Sequence, residues 1–390
     1  MTTMAERGAI TSLLGRPLVA IIVGQVCLHA CMTGVRLAAP LQALRAGHSA
    51  LAVGVLLALF AAAPVATALA AGRLADRRGY HKPVRIAVAL AFGGGLVAAL
   101  SQHYLALCLA GLLAGAGANV GMIAIQRTAG RLAGNATERM RVFSWLGLAP
   151  ALANVVGPVM AGAMIDLAGF RAAFAALMLL PLATLWWARA VPVEAPRAPV
   201  AASAERRTAW GLLRSPALRQ LLFVNWLLSA SWDVHGFVLP VLGHERGMSA
   251  SAIGTVLGLF AFAVAAVRLL VPLLAHRLRE RQVLVGAMLC TACVLGVYPL
   301  MHAAWLMAVC AVLLGLALGS VQPMIMSTLH QITPAERHGE AIALRSMAIN
   351  FASTVMPLLF GIAGAALGAG ALFWVMGAAV GAGSLQARRL

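Results

Sequence analysis

The chain has 390 residues, of which 62% are hydrophobic and only 10% are charged. A soluble globular protein carries about 25% charged residues, so this composition excludes an ordinary soluble domain. Apolar runs of about twenty residues recur along the chain, and each can cross the roughly 30 Å hydrocarbon core of a bilayer. A transmembrane β-barrel would show short alternating segments instead. The sequence therefore predicts a helical protein that crosses a membrane many times.

The net charge of +18 is compatible with a nucleic-acid partner, but its distribution along the chain indicates membrane topology instead. When the apolar spans are laid out in order, one side receives nearly all the basic residues. The other side receives only Arg45, Arg171 and Arg246. The positive-inside rule then puts both termini in the cytoplasm. We therefore expect the basic loops to contact anionic membrane lipid, and we expect no nucleic-acid partner.

The first predicted span runs roughly from Pro17 to Leu44 and carries a line of polar side chains. Gln25, His29 and Arg36 are separated by four and seven residues, which places them on one helical face. A polar face on a membrane helix points to the interior of the helix bundle or to a water-filled cavity. These three residues are therefore candidate substrate or coupling residues. His29 is either a proton relay or a hydrogen-bonded spectator.

The second span, from about Ser49 to Ala71, leads into a polar, mostly basic stretch that we interpret as a short loop, residues 72–83. Charged groups at the bilayer centre cost roughly 2.5–3.5 kcal/mol each, so this stretch is expected outside the lipid. It resembles the signature loop between the second and third helices of the major facilitator superfamily. The positions that carry this resemblance are Gly72, Leu74, Asp76, Arg77, Gly79 and Lys82. The resemblance implies that Asp76 interacts with a helix end of the neighbouring half and favours one access state.

The third and fourth spans are predicted at about 84–100 and 104–125, and a basic loop, 126–141, follows them. The fifth span contains Gly157 and Pro158, and we expect Pro158 to kink the helix because it has no N–H to donate. This segment resembles the fifth-helix motif of family members that export a substrate in exchange for protons. The resemblance implies that Gly157 and Pro158 belong to the machinery of conformational change.

The chain is predicted to consist of two related halves. After a sixth span that ends near Trp187, residues 190–219 are rich in alanine, proline and charge, which is typical of a linker with a short helix in the membrane surface. The second half repeats the first at an offset of 200 residues, so that Pro40 matches Pro240 and Gly47 matches Gly247. We therefore predict an all-α membrane protein of twelve transmembrane helices in two pseudo-symmetric six-helix halves, residues 1–190 and 219–390, joined by a linker at 191–218. Such repeats place substrate sites between the halves, near the bilayer midplane.

Only one of the eleven acidic residues, Asp233 in the seventh span, is predicted to lie well inside the membrane. An acid at this depth points to a proton relay or a substrate site. In the fold of the major facilitator superfamily, helices one, four, seven and ten line the cavity, which implies that Arg36 and Asp233 both face it. Two readings stay open. Either Asp233 carries a proton while Arg36 binds an anionic substrate or tunes the acid, or the two form an ion pair that closes a gate.

Four further residues of the second half are candidates for the site. Asn225 occupies the place of Gln25 in the repeat, so both are candidate substrate contacts. Trp232 either stacks on an aromatic ligand or packs in the core. Arg268, in the eighth span, suits an anion site, as the resemblance to anion exchangers of the family implies. Arg345 either holds an inner gate or pairs with Glu340.

No feature of an enzyme is visible in the sequence. We find no nucleophile–base pair, phosphate-binding loop or cluster of metal ligands. The six cysteines fall in apolar segments, where they are expected to pack as small side chains. We therefore assign no catalytic residue, metal or cofactor, and we do not expect an enzyme. A membrane-embedded enzyme or a non-transporting sensor is the alternative class.

The resemblance covers nearly the whole chain and is closest to the branch of drug and metabolite proton antiporters. It implies a monomeric transporter that works by alternating access. We expect proton-coupled export of a small organic compound or drug from a bacterial inner membrane. The excess of intramembrane arginines over the single buried acid favours an amphiphilic or anionic compound. Import or exchange of an organic anion, and the flipping of a lipid, are the alternatives within transport.

Overall fold

A computed structural model describes residues 15–132, 142, 145–193, 209–274, 280–334 and 338–388. All the regular structure in these ranges is helical. Most of the predicted linker, the side chain of Trp210 in its predicted interfacial helix, the end of the basic loop after the fourth span, and the side chain of Glu340 lie outside the described residues.

Twelve membrane-length helices follow one another along the described chain, which confirms the predicted fold class. The helix Leu148–Ala188 is broken at Gly169, where φ is 82° and ψ is 176°, so it is divided into α5 (148–168) and α6 (170–188). The other helices are α1 Arg16–Arg45, α2 Ala50–Arg78, α3 His81–Leu100, α4 Tyr104–Leu132, α7 Pro216–Glu245, α8 Ala250–Leu274, α9 Glu280–Val297, α10 Ala304–Ile332, α11 His338–Leu367 and α12 Ala369–Ala387. Two short 3₁₀ helices, Ala209–Arg214 and Tyr298–Leu300, precede α7 and follow α9.

By length and composition, ten of the described helices could cross a membrane, when the broken helix Leu148–Ala188 counts once. Helix α7 has 30 residues but is not among the ten. Its buried face carries Asn225, Asp233 and His235, and these polar side chains lower its mean hydropathy. The helix that carries Asp233 is therefore also one whose polar side chains interrupt its apolar surface.

The internal repeat predicted from the sequence is also a repeat of the structure. Helices α1 and α7 begin and end 200 residues apart, and α4 and α10 begin 200 residues apart. The turns after α1 and α7 use equivalent glycines, because Gly47 has φ 82° and Gly247 has φ 67°. The turns before α6 and α12 use Gly169 and Gly368, with φ 82° and 85°. Positive φ suits glycine because it has no Cβ, so these turns explain why the same residue recurs.

The described residues form two compact units, one within Met1–Ala39 and Ala62–Ala201, the other within Pro40–Ala61 and Ala202–Leu390. The segment 40–61, which ends α1 and begins α2, thus groups with the second unit. In each half, we call the side at which α6 ends and α7 begins the linker side, because the linker joins the chain there. Odd-numbered helices begin on this side, and even-numbered helices end on it.

Small residues let the helices of the first unit approach closely. A Cβ on Gly117 of α4 would lie 2.7 Å from the carbonyl O of Ala87 in α3, and one on Gly157 of α5 would lie 2.5 Å from the carbonyl O of Ala30 in α1. Backbones this close leave space only for glycine, as in other membrane helix pairs. The backbone dihedrals are helical at Pro158, where a kink is predicted, and the chain leaves the helical conformation at Gly169. Gly157 therefore allows the close contact between α5 and α1.

The stretch predicted as the signature loop is mostly helix, which corrects the sequence interpretation. Helix α2 continues to Arg78, and only Gly79 and Tyr80 separate it from α3. Gly79 has φ 66°, so it makes the turn, whereas a Cβ on Gly72 would meet nothing within 4 Å. A helix need not end where lipid ends, because its charged last turns can continue into water.

In the second unit, the same kind of contact joins α8 to α10 and the first turns of α2 to α11. A Cβ on Gly315 would lie 2.5 Å from the carbonyl O of Phe260. One on Gly54 would lie 2.4 Å from the carbonyl O of Pro357, and one on Gly361 would lie 3.1 Å from Cα of Leu51. These crossings fix the positions of α8 and α11, which carry two of the candidate arginines.

Candidate functional site

Asp233 is the one acid among the buried polar side chains of the described chain, with 7% of its surface exposed. It lies 17 residues after the start of α7, about 26 Å along the helix from the linker side at 1.5 Å per residue. The hydroxyl of Ser353 in α11 donates a hydrogen bond to Oδ2 of Asp233 over 3.2 Å. The predicted intramembrane acid is therefore positioned at the seam between α7 and α11.

The equivalent seam of the first unit joins α1 to α5 through neutral groups. Thr33 takes the place of Asp233 in the repeat, and Ala153 lies one residue before Asn154, which takes the place of Ser353 because α5 and α11 are offset by 199 residues. The hydroxyl of Thr33 donates to the carbonyl O of Ala153 over 3.0 Å. The two seams thus share a position and a polar contact, but only the second carries an ionisable group. The sequence reasoning missed Ser353.

Arg345 is half-buried, and it bonds to a residue that the sequence marked as a substrate contact. Its Nε donates to Oδ1 of Asn225 over 3.2 Å. Asn225 is only 2% exposed, and its Nδ2 has no hydrogen-bond partner among the described residues. The predicted pairing of Arg345 with Glu340 involves a side chain outside the described residues. The hydrogen bond between Arg345 and Asn225 joins α11 to α7 in the linker-side half of both helices.

Arg268 forms a second arginine–amide contact in the same unit. Its Nη2 donates to Oε1 of Gln322 in α10 over 2.9 Å, while its Nε is buried and has no hydrogen-bond partner among the described residues. The sequence reasoning missed Gln322. The available signal was a lone amide in an otherwise apolar stretch of α10.

Aromatic packing surrounds the remaining candidates of α7. Trp232 makes an edge-to-face contact with Phe260, with 4.7 Å between ring centroids, which supports its packing role. His235 is 1% exposed, lies 4.6 Å from the ring of Phe260 and hydrogen-bonds through Nε2 to the hydroxyl of Tyr298 over 3.2 Å. The sequence reasoning gave His235 no role beyond its separation from Asp233. Its partner is 63 residues away, too far for periodicity to show it.

The polar face predicted on α1 lies in the first unit. Gln25 is 3% exposed, and its Oε1 has no hydrogen-bond partner among the described residues. His29 and Arg36 are half-buried. An unpaired buried acceptor is costly unless another group satisfies it, so Gln25 stays a candidate for a ligand contact.

The residues of the signature stretch contact their own unit. Nε of Arg127 in α4 lies 3.0 Å from Oδ1 of Asp76, and the Asp76 side chain is 76% exposed. The sequence placed this acid against the neighbouring half, but the partner in this structure is a helix of the same half. Arg77 is exposed. Tyr80 is buried, and Nε2 of His81 lies 3.2 Å from the carbonyl O of Ala188 at the end of α6.

A cavity of about 820 Å³ lies at the linker side of the first unit, away from every predicted site residue. It is lined by Arg16, Val19, Trp186, Trp187, Arg189 and Ala190. The guanidinium of Arg189 stacks on the ring of Trp186 at 5.0 Å. Tryptophan and arginine together are typical of the membrane–water interface, so this cavity marks the edge of the membrane.

The cysteines are free thiols, and Cys31 and Cys310 are buried. In the described part of the chain, no three histidine, cysteine or acidic side chains converge in a way that could hold a metal ion. The chemistry of the described site is therefore that of arginines, amides, hydroxyls and one carboxyl.

Comparison with solved structures shows that known transporters share this arrangement of helices. No curated protein matches the sequence. A POT family transporter solved in complex with a thioalcohol-conjugated peptide superimposes with a TM-score of 0.77 at 13% identity, over 95% of each chain. The nucleoside transporter NupG gives a TM-score of 0.73 at 13% identity, over 95% of this chain and 99% of its own. The human organic anion transporter TETRAN gives 0.63 at 16% identity, over the same shares. Likeness at this level of identity establishes the fold.

The family model of the Major Facilitator Superfamily matches the chain twice, at residues 21–230 and again at 221–389. The two matches correspond to the two halves of the repeat. Because together they cover almost the entire chain, the protein belongs to the Major Facilitator Superfamily and is a secondary transporter.

Proposed function

We propose that this transporter exports a small amphiphilic or anionic organic compound from a bacterial cell in exchange for protons. The observation that carries the proposal is the buried carboxyl of Asp233 beside the hydroxyl of Ser353. Transport would follow from alternating access, in which Asp233 binds a proton from one side and releases it to the other.

The seam suits a group that changes protonation. A carboxylate in the membrane interior is costly, so a proton bound there for part of the cycle lowers the barrier to conformational change. The Ser353 hydroxyl donates a hydrogen bond to the carboxylate. When the carboxyl is protonated, its own O–H can donate to the same oxygen. Both protonation states therefore keep a partner at this seam.

The class of substrate follows from the intramembrane charges. Arg36, Arg268 and Arg345 outnumber the single buried acid, which favours an anionic or amphiphilic compound. We assign substrate contact to Gln25, His29 and Asn225 in addition, whereas the contact with Phe260 assigns Trp232 to packing. The conformational change would involve Gly72, Asp76, Arg77, Gly79, Gly157 and Pro158. Arg345 also belongs to this group if it gates the site.

The proposed orientation in the membrane rests on the side at which the basic residues lie. Nearly all basic residues are on the linker side by sequence, which supports a cytoplasmic linker side with both termini in the cytoplasm. The same surface supports contact with anionic lipid. We propose that the transporter works as a monomer in the bacterial inner membrane, with residues 1–190 and 219–390 as its halves.

The test is transport by purified protein in proteoliposomes that contain a pH-sensitive dye. A panel of organic anions and lipophilic cations is added under an imposed pH gradient. We expect substrate-dependent proton movement in the wild type and its loss in Asp233→Asn. The matched control, Asp166→Asn, makes the same chemical change at an exposed acid near the end of α5 and should keep the signal. Unchanged proton movement in Asp233→Asn would remove the basis for proton coupling.

The second candidate function is import or exchange of an organic anion, which the excess of arginines over buried acids favours. Vesicles of known orientation separate the two functions. Export predicts that an inward proton gradient drives the compound outward through the transporter. Exchange predicts anion-for-anion flux that does not change when the gradient is removed.

A further inference from the structure

The two helices that form the cavity at the linker side of the first unit are joined close to it. The hydroxyl of Thr184 in α6 donates to the carbonyl O of Gly24 in α1 over 2.9 Å, and a Cβ on Gly24 would lie 3.1 Å from Cγ2 of Thr184. Helix α1 begins on the linker side and α6 ends there, so both continue from this contact towards that side. The residues that line the cavity follow the contact in this direction, so the helix contact holds its two walls in place.

One wall of the cavity presents a guanidinium on an aromatic ring. The guanidinium of Arg189 stacks on the ring of Trp186 at 5.0 Å, and Trp186 is 67% exposed. A stacked guanidinium uses its face, whereas its N–H groups point outward in the plane of the fork. Stacking therefore orients Arg189 and leaves its donors available to an anion. Within the described part of the chain, no acid forms an ion pair with Arg189 or with Arg16 on the other wall.

The charge and the polarity of the lining suit an anionic amphiphile. Arg16 and Arg189 are exposed, and there is no acid among the described residues that line the cavity. Val19 and Trp187 are half-buried and add apolar surface beside the two arginines. The volume of about 820 Å³ lies within the range of roughly 300–1,000 Å³ that is typical of small-molecule pockets. A ligand that complements this lining has a negative head and an apolar body.

The second unit shows that the fold does not require these side chains. Helices α1 and α7 are offset by 200 residues, and the glycines before α6 and α12 are offset by 199. By these offsets, the equivalents of Arg16, Trp186, Trp187 and Arg189 are Pro216, Leu385, Gln386 and Arg388. Helix α12 still packs closely on α7, where Gly383 lies against Leu227. The same pair of helices thus forms without the two tryptophans and without the first arginine, so these residues serve another purpose in the first unit.

We propose that this cavity is a specific site for one anionic phospholipid. Its phosphate contacts Arg16 and Arg189, and its glycerol and first acyl carbons lie against Trp186 and Val19. Guanidinium forks match phosphate oxygens in parallel hydrogen bonds, and tryptophan favours the headgroup level of the membrane. The inference rests on the proposed contact of the basic surface with anionic lipid and makes it specific. It does not depend on which compound is transported.

The net charge of the headgroup decides which lipid the site takes. Phosphatidylglycerol carries one negative charge on its phosphate, and the rest of its headgroup is neutral. Phosphatidylcholine carries the same phosphate together with a quaternary ammonium, which the two arginines repel. Glycerol 3-phosphate shares the anionic group but has no acyl chain to lie against the tryptophan ring. These three compounds therefore separate headgroup charge from acyl contact.

The first experiment measures lipid binding to the delipidated, detergent-purified full chain by native mass spectrometry. The probes are dioleoylphosphatidylglycerol, dioleoylphosphatidylcholine and glycerol 3-phosphate. We expect the first phosphatidylglycerol to bind more tightly than phosphatidylcholine and not to be displaced by glycerol 3-phosphate. Arg16→Gln and Arg189→Gln should each raise its Kd by about threefold to tenfold. Arg388→Gln, which removes an exposed arginine at the equivalent position after α12, is the matched control and should leave the Kd unchanged.

A second pair of variants tests the aromatic wall without a change of charge. Trp186→Leu keeps an apolar side chain but removes the ring on which Arg189 stacks. We expect it to raise the Kd for phosphatidylglycerol by about twofold to fivefold, and an unchanged Kd would refute the contact with the ring. Trp305→Leu is the matched control, because Trp305 is 68% exposed at the start of α10, on the side opposite the linker. All the substituted side chains are exposed, so we expect each variant to fold as the wild type does.

The outcomes separate this site from general contact with lipid and from transport. Equal binding of phosphatidylglycerol and phosphatidylcholine by the wild type would refute both the site and the proposed contact with anionic lipid. A preference that Arg388→Gln weakens as much as Arg189→Gln would support a diffuse basic surface and overturn the specific site. Displacement by glycerol 3-phosphate would assign the arginines to a soluble anion and overturn the lipid. A preference that depends on Arg16 and Arg189, without proton-coupled flux in proteoliposomes, would support the site and refute proton-coupled export.

Discussion

Gly157→Ala is the most direct test of the packing between α1 and α5. A Cβ at this position would lie 2.1 Å from Oγ1 of Thr33, 2.5 Å from the carbonyl O of Ala30 and 2.9 Å from the backbone N of Gly34. Thr33 can move only by giving up its hydrogen bond to Ala153, and the other two atoms are backbone. Normal contact distances are about 3.5 Å, so the helices must separate by about 1 Å.

The change in stability expected for Gly157→Ala is the sum of two opposing contributions. Forcing an extra carbon into a filled contact costs about 1–3 kcal/mol. Replacing glycine by alanine inside a helix returns up to about 1 kcal/mol through helix propensity. We therefore expect a net loss of about 1–2 kcal/mol in the free energy of unfolding. For a chain of this size, that is a fall in Tm of a few degrees.

The assay is thermal unfolding of purified protein in detergent, followed by tryptophan fluorescence. Gly93→Ala is the matched control, because Gly93 lies within α3 and a Cβ there would meet nothing within 4 Å. It should keep or raise the Tm. If Gly157→Ala were as stable as Gly93→Ala, the close approach of α1 and α5 would be refuted.

Three further predictions concern single contacts and are checked by the same unfolding assay. Gly368→Ala should cost about 1–3 kcal/mol from backbone strain alone, because φ is 85° but no atom lies within 4 Å of the new Cβ; an unchanged Tm would contradict this. Asp76→Asn should change stability by less than about 1 kcal/mol, since its ion pair with Arg127 is exposed; a larger loss would mean a stronger contact. Tyr298→Phe should cost about 1–3 kcal/mol because it leaves buried His235 without its hydroxyl partner, and full stability would show another partner.

The sequence predicted the fold because its signals are local or periodic. Long apolar spans and the offset of 200 residues gave the number and register of the helices, and α1 and α7 show that register directly. The interpretation of residues 72–83 as a loop was wrong because hydropathy reports where lipid ends, whereas the hydrogen bonds of α2 continue to Arg78. The kink expected at Pro158 stays a prediction, since the backbone dihedrals there are helical, and the turn between α5 and α6 is made by Gly169 with a φ of 82°.

Sequence patterns predicted only some of the residues of the candidate site. Asp233 and Asn225 stood out because polar residues are rare in apolar spans. Their partners lie on α11, 120 residues away in each case, and nothing local in the sequence pairs Ser353 or Arg345 with them. Such pairings depend on how helices pack, so they require the structure.

The two seams at Thr33 and Asp233 have a further consequence for how this protein could have diverged. If one ancestral unit was duplicated, each copy began with the same interhelical contact, and one copy was enough to preserve it. The other was then free to accept a charged residue without loss of the shared architecture. The present chain fits that history, because Thr33 still bonds to the backbone of α5 while Asp233 bonds to Ser353. New chemistry in such a protein can therefore begin as one substitution in a redundant copy.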